Sequence, residues 1–252
     1  MAHSPEIAAL IQKFPSLKKP IETGVESHDG REEKLLSHVL SHPDLEEIKR
    51  SPSKLLSVID EFSAQHDFLI SIGGHKANIL SNLIAEEKPQ TVVELGGYLG
   101  YSAILFADAM RRNSKPDQKL RVLSLEMSAE FVSIARELIQ LVGLSDIVTV
   151  VTGPAEESLR KLHKEGTLTS VDLLFLDHGE DLYVADFKVC DELGLLQKGT
   201  VIAADNVLRP GAPEYRTLVR SHPRLQSTGV MGLIQPGDFE DELEISRVTV
   251  SA

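Results

Sequence analysis

Apolar positions in the first third of the chain recur at helical spacing. Leu35, Leu36 and Val39 fall on one face, and Leu55, Leu56, Ile59 and Phe62 on another, which predicts two amphipathic helices between residues 29 and 88. Ser51 followed by Pro52 supplies an N-cap and a first-turn proline for the second of them. Ile79, Leu80 and Leu83 mark a third helix near 76–86. At Gln90 the pattern changes to short apolar runs alternating with helical stretches, the signature of βα units that build a parallel sheet. Strands are predicted at 91–95, 121–125, 147–151, 171–176 and 200–204, with helices near 101–112, 129–142, 154–163 and 183–195 between them. After Leu225 two runs, 229–234 and 243–250, follow each other with no helix between, so an antiparallel hairpin is expected to close the sheet. The expected class is α/β: a Rossmann-like, mostly parallel sheet with extra N-terminal helices.

Residues 1–28, interrupted by Pro15, Lys18, Lys19 and Pro20, are expected to form an arm laid over the folded body, ordered only in part. One domain is expected over 29–252, made of a helical cap at 29–88 and an α/β core at 89–252, because 252 residues at 42% hydrophobic suffice for one sizeable core. No apolar run approaches the roughly 18 residues of a membrane helix, and the N-terminus lacks a continuous apolar segment. A cytoplasmic protein without a membrane partner is therefore expected. The single cysteine, Cys190, forms no internal disulfide and reads as core packing on an apolar helical face. A net charge of −12 with no offsetting basic cluster argues against a nucleic-acid partner. What remains is a small-molecule partner, with the chain a monomer or weak dimer.

Three features carry chemistry. The first predicted strand runs into Glu94-Leu95-Gly96-Gly97-Tyr98-Leu99-Gly100, a glycine-rich turn at the carboxyl end of a strand, where open α/β sheets bind ligands. The second strand ends in Glu126, placed to accept hydrogen bonds from the two hydroxyls of a ribose. There is no G-x-G-x-x-G cradle for a pyrophosphate, so a nucleoside without phosphate is favoured over a dinucleotide. The third feature is the strongest. Strand four ends in Asp177-His178 and strand five in Asp205-Asn206, and parallel strands bring both ends to one edge. Asp177, Asp205 and Asn206 then form an all-oxygen half-shell that suits magnesium better than zinc. The competing reading is that each Asp only caps the next helix. His178 is left out of the metal shell.

These residues resemble the catechol O-methyltransferase family from about Arg31 to the C-terminus, through Leu36–Leu40 (LSHVL), Glu94–Ala103 (ELGGYLGYSA), Phe175–His178 (FLDH) and Gly194–Pro213 (GLLQKGTVIAADNVLRPGAP). The resemblance implies a seven-stranded class I methyltransferase fold, S-adenosylmethionine as methyl donor, Mg2+, and a phenolic substrate whose two vicinal oxygens bind the metal. It assigns the metal to Asp177, Asp205 and Asn206, and cofactor contacts to Ile72, Glu94, Gly96, Tyr98, Ser102, Glu126, Met127, Gly153, Pro154, Ala155, Glu156, Asp177 and His178. Ala155-Glu156 stands where the family usually has Ser-Gln.

On the substrate side the likeness is looser. The family's catalytic lysine falls on Glu180, and its neighbouring tryptophan on Gly179. Gln235 takes the place of a substrate-binding glutamate and Phe68 of a second tryptophan, while Pro210 is kept; Asn206 would touch substrate as well as metal. Proton removal is assigned to Glu180, to bulk water, or to a side chain near the mouth such as Lys76. The alternatives are a methyltransferase for another metal-chelating substrate, and a cofactor-binding protein with weak or no catechol turnover.

Overall fold

The computed structural model describes residues 4–250. Helices α1 (Pro5–Lys13), α2 (Lys18–Thr23), α3 (Arg31–Leu40), α4 (Leu45–Ile48), α5 (Pro52–Gln65) and α6 (Gly73–Glu87) precede the sheet. Then strands and helices alternate: β1 (Thr91–Leu95), α7 (Tyr101–Asn113), β2 (Arg121–Glu126), α8 (Ala129–Leu141), β3 (Val148–Thr152), α9 (Ala155–Lys164), β4 (Leu173–Leu176), α10 (Tyr183–Glu192) and β5 (Val201–Ala204). Helix α11 (Pro213–Ser221) leads into β6 (Leu225–Ile234) and β7 (Phe239–Val248). The seven strands lie in the order β3-β2-β1-β4-β5-β7-β6, parallel from β1 to β5. β7 runs antiparallel to both β5 and β6.

Side chains on a strand alternate between its faces, so one sheet feeds two cores. Val92, Val122, Leu173, Phe175 and Ala203 pack with α3, α5, α6, α7 and α8 on one side. Val93, Leu95, Leu123, Leu174, Leu176 and Ile202 pack with α9, α10 and α11 on the other, where Cys190 is fully buried. Strand order reverses between β1 and β4, and in such sheets ligands bind in the crevice outside the carboxyl ends at that point.

The hairpin strands begin earlier than the apolar runs suggest. Glu240, Asp241 and Glu242 are in β7, paired against Leu233, Gly232 and Met231. Their acidity hid the strand, yet Glu242 and Glu244 are met by Arg216 and Arg220 of α11. Helix α11 was also missed, because only Tyr215, Leu218 and Val219 interrupt its polar sequence. In the N-terminal arm Ser16 and Leu17 are buried, and the Ser16 hydroxyl donates to the Ser63 carbonyl at 2.5 Å; residues 1–3 of that arm lie outside the described residues. No helix among the described residues is long and apolar enough to cross a membrane.

The turn after β1 is as tight as the sequence implies. A Cβ on Gly96 would lie 2.1 Å from the Asp177 carbonyl oxygen, and φ there is +93°. Backbone cannot yield as a flexible side chain does, so Gly96→Ala is expected to destabilise by more than about 3 kcal/mol. Gly143, with φ +66° and open space around it, should cost only about 1–2 kcal/mol as alanine, the penalty of the left-handed conformation itself. Urea unfolding of the two variants checks the contrast.

Candidate active site

Asp177 follows β4 and Asp205 follows β5. Their amides continue the parallel ladder, Asp177 N donating to Leu95 O and Asp205 N to Leu176 O, both at 2.9 Å. Asp205 Oδ1 accepts from the Lys76 ammonium at 2.5 Å and from Asn206 N at 2.7 Å. Lys76 Nζ also donates to Asp241 Oδ2 of β7 at 2.6 Å. Lys76, Asp205 and Asp241 are each no more than 1% exposed. Gly232 pairs with Asp241 across the hairpin, and a Cβ on it would sit 3.0 Å from Lys76 Cγ, so the glycine leaves room for the lysine stem.

The same network orients Asn206. Its backbone is left-handed, with φ +57°, a conformation asparagine tolerates. Its Nδ2 donates to Arg209 O at 3.0 Å and to Asp241 Oδ2 at 3.2 Å. Both partners are acceptors, so the amide nitrogen is fixed towards them and Oδ1 is the atom left over. Asp241 Oδ1 takes the Leu208 and Arg209 amides at 3.1 and 2.9 Å. Among the described residues nothing donates to Asp205 Oδ2. Burial pushes Asp177 well above the usual carboxylate range, and the Asp205 charge adds to this while Lys76 opposes it. Burial also raises Asp205 against the pull of Lys76. One ammonium thus faces Asp177, Asp205 and Asp241, and the spare carboxylate and amide oxygens are the hard donors a magnesium ion takes.

Most of the residues expected to hold the cofactor lie along β1, β2 and β3. Glu94 is fully buried; Ser124 Oγ donates to its Oε2 at 2.5 Å, and its Oε1 has no partner. Burial pushes this carboxyl up to about 7, against the Ser102 and Ser124 hydroxyls. Ser102 is buried in the first turn of α7, and Ile72 is buried just before α6. Glu126 Oε2 accepts the Gly97 and Tyr98 amides at 3.2 and 2.8 Å, and Oε1 accepts Ser128 N at 2.7 Å. Three of its roughly four acceptor positions are therefore in use, and a ribose diol would meet the remaining one or displace an amide. Tyr98, at φ +42°, donates its hydroxyl to Glu32 at 3.0 Å. Met127 is 74% exposed beside Glu126. Gly153, at φ +138°, donates its amide to Glu126 O, Pro154 caps α9, and Ala155 opens that helix. Glu156 is exposed and paired with Arg160 at 2.9 Å. His178 Nε2 bonds Asp186 Oδ2 at 2.7 Å, while its Nδ1 is buried without a partner. Buried polar atoms left unmet, here Glu94 Oε1 and His178 Nδ1, cost on the order of 1–3 kcal/mol each. A polar ligand along this edge would relieve them.

On the substrate side Glu180 is half-buried at the start of a 3-10 turn (Glu180–Leu182), and its charge adds to the push on Asp177. Pro210 is exposed after a cis peptide with Arg209, and Phe68 is half-buried with its carbonyl accepting from Arg31 at 2.7 Å. Gln235 is engaged structurally: its Oε1 accepts His75 N in the first turn of α6 at 2.8 Å, and its Nε2 donates to Asp238 at 3.3 Å. Lys76 is not at the mouth. Burial alone would lower its pKa, but Asp205 and Asp241 more than offset that and raise it. It stays an ammonium and cannot accept a proton.

Glu94 gives a pH signature. Its folded pKa of about 7 lies above the model-peptide value of 4.5, so the folded state binds the extra proton between those values. Stability from this group is full below about 4.5 and falls as pH rises to about 7. The advantage of Glu94→Gln over the parent chain should grow by about 2.5 kcal/mol between pH 5 and pH 8, read from paired urea titrations; an unchanged difference would contradict it.

A family model described as O-methyltransferase matches residues 46–225. Catechol O-methyltransferase of Bos taurus is 31% identical over 215 residues, covering 85% of this chain and 75% of that protein. Catechol O-methyltransferase B of Danio rerio is 33% identical over 216 residues, covering 86% and 78%. Among solved structures, the O-methyltransferase from Bacillus cereus in complex with SAH superposes with a TM-score of 0.63 at 22% identity, covering 95% of this chain and all of that one. A sheet of this order, an acidic edge at β4 and β5, and relatives at this identity over most of their length place the chain in the catechol O-methyltransferase family.

Proposed function

We propose that this protein transfers the methyl group of S-adenosylmethionine to one hydroxyl of a catechol or related vicinal diol, with one magnesium ion held by Asp177, Asp205 and Asn206. The observation that carries this reading is the set of atoms the polar network leaves over: Asp205 Oδ2 and Asn206 Oδ1, beside a carboxyl of Asp177 burdened with like charge. When bound, magnesium supplies Lewis-acid polarisation of two vicinal oxygens. The chain's own work is positioning. Lys76 and Asp241 hold the Asp205-Asn206 turn, and the turn after β1, closed by Glu126, presents Tyr98 and Ser102 to the donor. Family membership and the complex with SAH described for the Bacillus cereus protein support the choice of donor.

A second reading, a cofactor-binding protein with weak turnover, is favoured by one observation. The lysine expected of a base is replaced by Glu180, and Lys76 is locked as an ammonium. A carboxylate beside a divalent ion is stabilised as the anion and accepts a proton poorly. The enzyme reading therefore goes with slow turnover of ordinary catechols and a preference for substrates whose hydroxyl is already acidic.

The discriminating experiment is transfer of labelled methyl from S-adenosylmethionine to simple and nitro-substituted catechols, with magnesium and with excess chelator. Nitrocatechol should be methylated faster, chelator should abolish both reactions, and Asp205→Asn should be inactive while retaining calorimetric binding of the donor. Raising the pH should help simple catechol more. Glu180→Gln should stay within a few-fold of the parent, and Glu180→Lys should exceed it. Full turnover in chelator would remove the metal from the account, and a hundredfold loss in Glu180→Gln would make that carboxylate the working base.

A further inference from the structure

Away from the β4 and β5 edge, three carboxylates converge where the N-terminal helices meet the core. Glu32 and Glu33 stand in the first turn of α3 and Glu130 in the first turn of α8. One oxygen from each lies within 4.8 Å of the others. Glu32 is fully buried, and its Oε1 accepts His28 N and the Tyr98 hydroxyl, each at 3.0 Å. Its Oε2 is buried with no partner at all. Desolvation and then the Glu33 charge raise the Glu130 carboxyl, with His28 pulling the other way. The His28 ring is stacked on Phe131 with its Nδ1 3.9 Å from Glu130, beyond hydrogen-bond reach. The neighbouring guanidinium of Arg31 is committed to Asp29 and to the Val25 and Phe68 carbonyls. Negative charge is gathered here, partly out of water; among the described residues no cation hydrogen-bonds the three carboxylates, and Arg31 acts on Glu32 only at a distance.

We propose that Glu32, Glu33 and Glu130 form a second cation site, taking a calcium-class divalent ion that clamps the N-terminal helices onto the sheet domain. An all-carboxylate donor set selects hard ions over zinc. Calcium binds oxygen at about 2.3–2.6 Å, so two of its ligands lie up to about 5 Å apart, a span that includes the separation of these three oxygens. The ion would meet the orphaned Glu32 Oε2. Since the Tyr98 hydroxyl donates to the same carboxylate, the clamp also bears on the turn after β1.

The chain has no tryptophan and four tyrosines, so terbium, a luminescent stand-in for calcium, can be excited through tyrosine in the intact chain. Tyr98 lies against Glu32. Tyr183, whose hydroxyl donates to the Asp205 carbonyl at 3.2 Å, lies near the other metal position, so the titration is run in Asp205→Asn. Calcium-displaceable emission should persist in that variant and fall at least tenfold when Glu33→Gln and Glu130→Gln are added. Both glutamates are exposed, so these changes leave the core intact. Millimolar calcium should raise Tm in Asp205→Asn and not in the triple variant. Emission absent from the parent chain, lost with Asp205→Asn alone, or unchanged by the two glutamine substitutions would overturn the proposal. None of these results bears on whether the protein transfers methyl groups, which the catechol assay reads separately.

Discussion

An ammonium group held in a protein interior costs several kcal/mol of lost hydration unless carboxylates surround it, and Lys76 has two within hydrogen-bond reach. Asp205 comes from the end of a parallel strand, Asp241 from the antiparallel hairpin, and Lys76 from the helix before the sheet begins. Lys76 is thereby tied to two segments that each lie more than a hundred residues further along the chain. Removing Lys76 leaves two buried carboxylates without their cation, and removing either carboxylate takes one of the ammonium's two ionic hydrogen bonds. The edge of the sheet is therefore over-determined electrostatically before any ligand arrives.

That tie also decides which atoms remain available. Asp241 spends one oxygen on the Leu208 and Arg209 amides and the other on Lys76 and Asn206 Nδ2. Asp205 spends Oδ1 on Lys76 and on its neighbour's amide. The carboxylates are not neutralised by this arrangement, and Asp177 remains raised by burial and by Asp205. On the cofactor side the same logic holds with weaker means: Glu126 closes the glycine turn by accepting three backbone amides, and Glu94 beneath it is left partly unmet. Rigid scaffolding and unsatisfied polar atoms occur together, as expected of a site organised in advance of its ligand.

Much of this was readable from sequence because strand ends are readable. Apolar runs stop at Leu95, Leu176 and Ala204, so Asp177, Asp205 and Asn206 stand out as polar residues at fixed places on a parallel sheet. The glycine turn declared itself likewise. Asp241 did not. It sits among Asp238, Glu240, Glu242 and Glu244, and nothing local distinguishes the carboxylate that is buried against Lys76 from those answered by arginines of α11. Lys76, in a polar first turn, gave no sign that it points inward, and a reading by proximity put it at the mouth. Gln235 aligned with a substrate contact but spends its amide capping α6. Each of these features concerns a long-range polar partner, which periodicity does not encode.

The account stands or falls on whether Lys76 and Asp241 act as one unit, and a double-mutant cycle by urea unfolding measures that directly. Lys76→Met should cost about 3–5 kcal/mol, since it strands two buried carboxylates, whereas Asp241→Asn, which leaves Lys76 paired with Asp205, should cost about 1–3 kcal/mol for the lost charged hydrogen bond. The double variant should cost less than their sum by a coupling energy of at least about 2 kcal/mol. Losses that simply add would contradict the claim that this buried ion pair holds the active edge together.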